Sequence, residues 1–140
     1  MKPTRFPYSR TELGQTRTSE LAYVPITLSM VNSSQEYQGL LDTGSTVNVL
    51  PYTIGIALGL VWEQQTIPIT LTGSLSRIPA FGALVIGQVG TFPSVELVFA
   101  WAQAADIPLI LGQVNFLMEF DVCFFRSQSV FEVKPKANRK

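Results

Sequence analysis

Histidine is missing from the 140 residues, and cysteine occurs once. Without histidine there is no Ser-His-Asp or Cys-His nucleophile, no His-ligated zinc and no imidazole acid–base chemistry. A single cysteine excludes an internal disulfide and a four-cysteine metal site. Net charge is absent too: ten Lys and Arg balance ten Asp and Glu. No whole-chain basic field therefore exists to hold nucleic acid or an anionic lipid surface. No apolar run approaches the ~18 residues of a membrane span, and the first 20 residues lack the apolar stretch of a signal peptide. These absences predict a soluble, cytoplasmic protein that takes neither nucleic acid nor membrane as partner. Its chemistry must come from carboxylates, hydroxyls, amides or the lone thiol of Cys123.

What is present is a core. The chain is 46% hydrophobic and only 14% charged, with nine Phe, which suits one globular domain rather than a disordered chain. Charge is unevenly placed. Residues 1–20 carry Lys2, Arg5, Arg10 and Arg17 against Glu12 and Glu20, and residues 126–140 carry five bases against Glu132. Between them, Arg77 faces seven acids. The basic ends read either as solvated tails or as partners for an acidic body, on the same or a second subunit. The organisation expected is an N-terminal arm or leader over residues 1–20, one domain over 21–135 and a basic tail over 136–140.

Periodicity is mostly that of strands. Val24, Ile26, Leu28 and Met30 alternate along one apolar face. Asn32 to Glu36 reads as a polar turn, and Tyr37 to Leu41 as a second strand, so the pair forms a hairpin. Pro51 and Gly59 bracket a short helix, weakened by Gly55. Strands follow over Thr66–Thr72, Pro79–Gly87, Phe92–Trp101 and Ile107–Gly112, then a short helix over Asn115–Phe120. Asp121 to Phe125 and Val130 to Val133 close the chain as a hairpin. Cys123, inside an apolar strand, reads as a core residue, and Trp62 and Trp101 as packing.

One motif stands out. Asp42-Thr43-Gly44-Ser45 follows the apolar strand Gly39-Leu40-Leu41 and leads into a short helix. The pattern has an echo in Leu109-Ile110-Leu111-Gly112, also followed by a helix, which suggests a local pseudo-twofold. The second copy has no acid, so one chain supplies one carboxylate. A tripeptide is weak by itself, but in this setting the chain resembles the retropepsin family of aspartic proteases, single-domain homodimers related to retroviral protease. Leu40-Leu41-Asp42-Thr43-Gly44-Ser45 is similar to the active-site loop of that family, and Ile110-Leu111-Gly112 to its second signature. Pro51 and Leu58-Gly59-Leu60 are similar to the region after the active site in bacterial and other cellular members.

The resemblance implies a mainly β, closed-barrel acid-protease fold with one or two short helices, assembled as a homodimer, and an endopeptidase acting on a peptide or protein substrate. It implies no cofactor and no metal. The chemistry also stands on its own terms: water held between two carboxylates that share a proton can hydrolyse a peptide bond. A single Asp42 cannot be both base and acid, and a twofold dimer would bring a second one to it. By resemblance, the Thr43 hydroxyl would bond across the twofold and Gly44 would let backbone approach the carboxylates. Ser45 would support the site by donating to the Asp42 carboxylate, favouring its ionised form and an acidic working range. Leu71 to Gly82 would be a flap with its tip at Gly73, Ser74, Leu75 and Ser76. The substrate groove would be apolar, with Val47, Val49, Leu75, Ile78 and Ile110 as lining residues. The N-terminal strand and Val130 to Val133 would form the dimer sheet.

One departure matters. Retroviral members place arginine after the second-signature glycine, paired with an aspartate after the active-site loop; here those positions are Gln113 and Thr46. Joint loss of both partners avoids a stranded charge but removes one support of the dimer. Two other readings stay open. The fold could be a dimeric peptide-binding or scaffolding module without catalysis, or a monomeric β-barrel binding module in which Asp-Thr-Gly is accidental.

Overall fold

The computed structural model describes residues 1–12 and 18–137. In chain order the strands are β1 (Thr4–Pro7), β2 (Ser9–Glu12), β3 (Thr18–Leu21), β4 (Tyr23–Met30), β5 (Ser33–Leu41) and β6 (Asn48–Leu50), followed by helix α1 (Tyr52–Leu58). Then come β7 (Ala80–Gln88), β8 (Val95–Ala102), β9 (Leu109–Leu111), helix α2 (Phe116–Glu119), β10 (Phe120–Phe125) and β11 (Val130–Pro135). The protein is mainly β, as the sequence predicts. Six strands close into a barrel in the order β4-β5-β9-β6-β8-β7. No helix among the described residues is long and apolar enough to cross a membrane.

The barrel core follows from alternation. Val24, Ile26 and Leu28 on β4 are at most 1% exposed, and burying each such side chain contributes about 1.5–3 kcal/mol. They meet Leu97 and Phe99 of β8, Leu111 of β9 and Phe116 of α2 in one cluster. The β4–β5 hairpin is tighter than expected. Strand pairing runs out to Met30 and Ser33, so the turn is only Val31-Asn32, and the polar run from Ser33 to Glu36 lies within β5. Ser34, Gln35 and Glu36 are all exposed, so this end of β5 meets water on both faces, which polar side chains suit.

Three predicted strands are cut back at prolines, one of them β9, which starts at Leu109 after Pro108 rather than at Ile107. Residues 66–72 form no continuous strand. Pro68 bridges Phe81, Ile69 donates to the Ala80 carbonyl and Gly82 donates to the Ile67 carbonyl, but Pro68 has no N–H to extend the ladder. Strand β8 starts at Val95, after Pro93, rather than at Phe92. Gly73–Leu75 forms a 3-10 turn.

Helix α1 forms where expected, and Gly55 is what lets it dock. A β-carbon on Gly55 would run into the indole of Trp101, which is fully buried, stacks on Tyr52 and donates to the Tyr52 carbonyl. Trp62 joins Tyr52, Phe81 and Trp101 edge-on, so both tryptophans are packing residues.

A separate three-stranded sheet has the order β1-β11-β10. The expected arm thus contributes a strand to the body: Thr4 to Pro7 pair with Val133 to Val130. Strand β11 is flanked on both sides, which corrects the expectation that it supplies a dimer edge. Three bases of the two ends pair within the chain, Arg5 with Glu132, Arg126 with Glu20 and Lys136 with Glu119. Cys123 is exposed rather than buried. Phe120, Val122 and Phe124 share a face with the buried Val133 and Phe131, so the intervening Asp121 and Cys123 point outward. The run Val-Cys-Phe-Phe hides that period of two.

Candidate active site

The two echoing segments lie side by side. Strands β5 and β9 pair in parallel, with Leu40 beside Ile110 and Leu41 beside Leu111. The register carries on into the loop: the Asp42 N–H donates to the Leu111 carbonyl at 3.0 Å. Asp42 therefore sits where the apolar strand ends, half-buried. Its Oδ1 accepts from the Gly44 N–H at 2.9 Å, and the Asp42 carbonyl accepts from the Ser45 N–H at 3.1 Å. This tight Asx-type turn fixes the carboxylate on its own loop.

Ser45 does something other than predicted. Its hydroxyl donates to the Val47 carbonyl at 2.7 Å, so it braces the loop and does not touch the carboxylate. The bond expected of Ser45 comes instead from the Gly44 amide, which is nearer along the turn. Thr43 is exposed, and its hydroxyl has no partner among the described residues.

The segment after β9 clamps the Asp42 loop from beneath. The Gln113 N–H donates to the Ser45 carbonyl at 2.9 Å and the Val114 N–H to the Thr46 carbonyl at 3.0 Å. The Gln113 side-chain amide donates to the Thr43 carbonyl at 2.7 Å. Gly112 is required here, because a β-carbon at that position would collide with the Ser45 and Val47 carbonyls.

Sequence reasoning missed Asn48. It is fully buried and is the one polar side chain so buried among the described residues. Its Oδ1 accepts from the Gly112 N–H at 2.8 Å and, at a grazing 3.4 Å, from the Phe116 N–H. Its Nδ2 donates to the Val98 carbonyl at 2.9 Å and to Asn115 Oδ1 at 3.1 Å. Asn115 in turn accepts from the Val98 N–H and donates to the Glu96 carbonyl. An amide inside Val47-Asn48-Val49-Leu50 was the available signal: a lone polar group in an apolar run must find partners.

The residues expected to line a groove are brought together. Val49 and Ile110 are buried in a second apolar cluster, with Val47, Leu75 and Ile78 packed against it. Val49, at 1% exposed, is a floor residue rather than an accessible wall. Gly73, Ser74 and Ser76 are exposed at the loop tip. They are not gathered around Asp42. The hollow of about 330 Å³ beside Asp42 is lined by residues including Tyr8, Leu21, Leu41, Thr43 and Phe124, with none from the 71–79 loop. A second hollow, of about 290 Å³, lies under the loop between Pro68 and Phe81.

No protein-family model and no curated protein sequence matches this chain. Among solved structures, the chain is similar to a retropepsin-like aspartic protease from Rickettsia conorii, with a TM-score of 0.66 and 14% sequence identity, covering 94% of this chain and 91% of that one. At that identity the likeness establishes the fold.

Proposed function

We propose that this protein is an aspartic endopeptidase that works as a homodimer, with Asp42 of each subunit forming the catalytic pair. The observation that carries the reading is the placement of Asp42. It stands at the end of β5, tied to β9 through Leu111 and held by its own loop amide, at the rim of a hollow in a retropepsin-like fold. A barrel that merely needed a turn aspartate would have no use for a second loop stapled beneath it by Gln113 and Val114.

In the proposed mechanism, two Asp42 carboxylates in contact share one proton, because two adjacent negative charges repel. One takes a proton from the water between them as that water attacks the scissile carbonyl carbon. The other donates its proton to the carbonyl oxygen. Collapse of the tetrahedral intermediate then releases the amine with a proton returned from the pair. The exposed Thr43 hydroxyl would find its acceptor on the other subunit. The 71–79 loop, which leads into β7, would serve as the flap and would have to move to close over substrate and exclude water. The cluster around Val47, Leu75 and Ile78 favours hydrophobic side chains near the scissile bond.

The test is cleavage of a peptide library by the native chain beside Asp42→Asn, across pH and across dilution. Cleavage that vanishes in the variant, and specific activity that falls on dilution below the dimer dissociation constant, are expected. Equal cleavage by both proteins would end the assignment. A dimer that binds peptides without cutting them would instead be a peptide-binding module.

A further inference from the structure

The outer side of the barrel is not uniform. On β5 the outward positions are Ser34, Glu36 and Gln38, opposite Ser29, Thr27 and Pro25 of β4. All three are polar and exposed, as befits a sheet face in water. On β7 and β8 the outward positions are largely apolar. Alternation buries Ala83 and Val85 and turns Leu84 and Ile86 outward. On β8 it buries Leu97 and Phe99 and turns Val98 outward. Leu84 stands directly opposite Val98, and Ile86 stands between Glu96 of β8 and Ser29 of β4. Two more steps along the β4–β7 register bring Val31 of the hairpin turn level with Leu84. Leu84 is 61% exposed and Val31 96%. With Met30, Ile86 and Glu96 they line a hollow of about 380 Å³. Contiguous apolar side chains on a solvent face mark a contact surface.

The chemistry of this face decides what covers it. Strand β7 is hydrogen-bonded on both sides, to β4 and to β8, so no backbone edge is open to an added strand. Recognition must run through side chains, as when a helix lays its apolar stripe on a sheet. Glu96 borders the apolar residues, exposed and without an ion pair among the described residues. Glu36 lies on the same outer side, in the row Glu36-Thr27-Gln88. The only base between residues 21 and 125 is Arg77, which lines the other hollow, between Pro68 and Phe81. The face therefore carries negative charge and no positive charge. A second copy docked on it about a twofold axis would set acids against acids. An anionic lipid surface would be repelled by the same carboxylates. A basic partner gains from both the apolar contact and the charge.

We propose that the outer face of β7 and β8 binds an amphipathic helical segment of a partner protein, one with aliphatic side chains on one face and a lysine or arginine beside them. The aliphatic side chains fill the hollow over Val31, Leu84 and Ile86, and the base pairs with Glu96. Three adjacent strands span about 10 Å, which two turns of a helix cover at about 11 Å. The face is remote from the proposed catalytic loop: Ser34, beside Ser29, is at the opposite end of β5 from Asp42. The inference therefore stands whether or not Asp42 cuts peptides.

The probe is a fluorescein-labelled helical peptide of alanine, leucine and lysine, about four turns or ~14 residues long, with its leucines on one stripe and its lysines flanking them. A counterpart carries glutamate at every lysine position. Both are titrated by fluorescence anisotropy into the full chain, native and Asp42→Asn, so that cleavage cannot pass for release. Saturable binding of the lysine peptide, at least tenfold tighter than the glutamate peptide and equal in the two proteins, is the expected result. Leu84→Thr should weaken it at least tenfold, and Glu96→Lys should reverse the preference between the two peptides. Both positions are exposed, and urea unfolding of each variant checks that the fold is kept. Glu96→Gln, which keeps the size and removes the charge, should narrow the preference without reversing it. No saturable binding up to millimolar peptide overturns the proposal. Binding that ignores both Leu84→Thr and Glu96→Lys lies elsewhere on the chain and overturns it too. Vesicles containing phosphatidylglycerol that hold the native chain but not Leu84→Thr would make the occupant a lipid surface, and a dimer that Leu84→Thr dissolves in sedimentation would make it a second copy; either outcome replaces the helical partner.

Discussion

Replacing Asn48 with alanine is expected to destabilise the fold by about 2–4 kcal/mol. A buried donor or acceptor left without a partner costs about 1–3 kcal/mol. Asn48→Ala strands the Gly112 N–H, which is buried and has its 2.8 Å bond to Asn48, so the full penalty applies there. The Phe116 N–H adds little, since its 3.4 Å contact is already poor. Val98 and Asn115 are closer to solvent, so their freed acceptors are partly rehydrated and cost less. At about 3 °C per kcal/mol for a chain of this size, the melting temperature falls by about 6–12 °C. The assay is urea unfolding at fixed protein concentration, checked against thermal melts. Asn48→Leu is the decisive companion, because it refills the volume but leaves the same groups unpaired, and it should be no more stable than alanine. Asn48→Asp turns a donor into an acceptor facing the Val98 carbonyl and Asn115 Oδ1. Burial and those oxygens favour the protonated form of the new carboxyl, raising its folded-state pKa above the unfolded value. Its stability relative to the native chain is therefore best below the unfolded value, near pH 4, and is lost as pH rises toward neutrality. An alanine variant within about 0.5 kcal/mol of the native chain, or a leucine variant that restores it, would refute the view that hydrogen bonds rather than volume matter at this position.

Gly55→Ala should destabilise by about 2 kcal/mol even though alanine is the better helix former by about 1 kcal/mol. The new methyl meets Trp101, whose ring is held by Tyr52 on one side and Trp62 on another; a stabilised variant in urea unfolding would show that the indole can shift. Gln113→Ala removes one exposed hydrogen bond to the Thr43 carbonyl, so unfolding free energy should change by less than about 1 kcal/mol. Peptide cleavage should nonetheless slow severalfold in kcat with KM little changed, and Gln113→Glu, which sets a carboxylate against that carbonyl, should be worse than alanine. Unchanged kcat in both would remove Gln113 from the positioning of the loop.

Much of this architecture is legible in the sequence, and the failures share a cause. The period-two signal in Val24, Ile26 and Leu28 is clean because one side of β4 is core and the other is not. Helix α1 is readable from Pro51 and Gly59, since Gly59 takes the left-handed conformation that ends it. Asp42 and Gly112 are readable as paired loop ends because both follow apolar strands that lie next to each other. What hides is whatever depends on a neighbour distant in sequence. The exposure of Cys123 follows from the register of β10 on β11, and the flanking of β11 follows from β1, which is 123 or more residues away at every pair of the register. Gly55 looks like a weakness until Trp101 is placed against it. The Ser45 hydroxyl bonds the Val47 carbonyl while the Gly44 amide takes the Asp42 carboxylate, an outcome of the turn geometry that the residue types alone do not disclose.

The bonding around Asp42 also bears on why the chain can dispense with a charged pair at Thr46 and Gln113. An ion pair there would have to offset the desolvation of two charges before it held anything. Here the same span is bridged by neutral bonds within one chain: two backbone amides and one side-chain amide from residues 113–114 to the carbonyls of Thr43, Ser45 and Thr46. Asn48 ties the base of the loop to Gly112. Such bonds keep their strength at any ionic strength, because no net charge is screened. The loop is therefore organised within one chain, and in the proposed dimer association would not have to supply the free energy of ordering it. Raising the salt concentration should then leave the stability of a single chain near the site almost unchanged. Salt effects should fall instead on Arg5–Glu132, Arg126–Glu20 and Lys136–Glu119, whose basic side chains are more than half exposed and whose contributions are about 1 kcal/mol or less each.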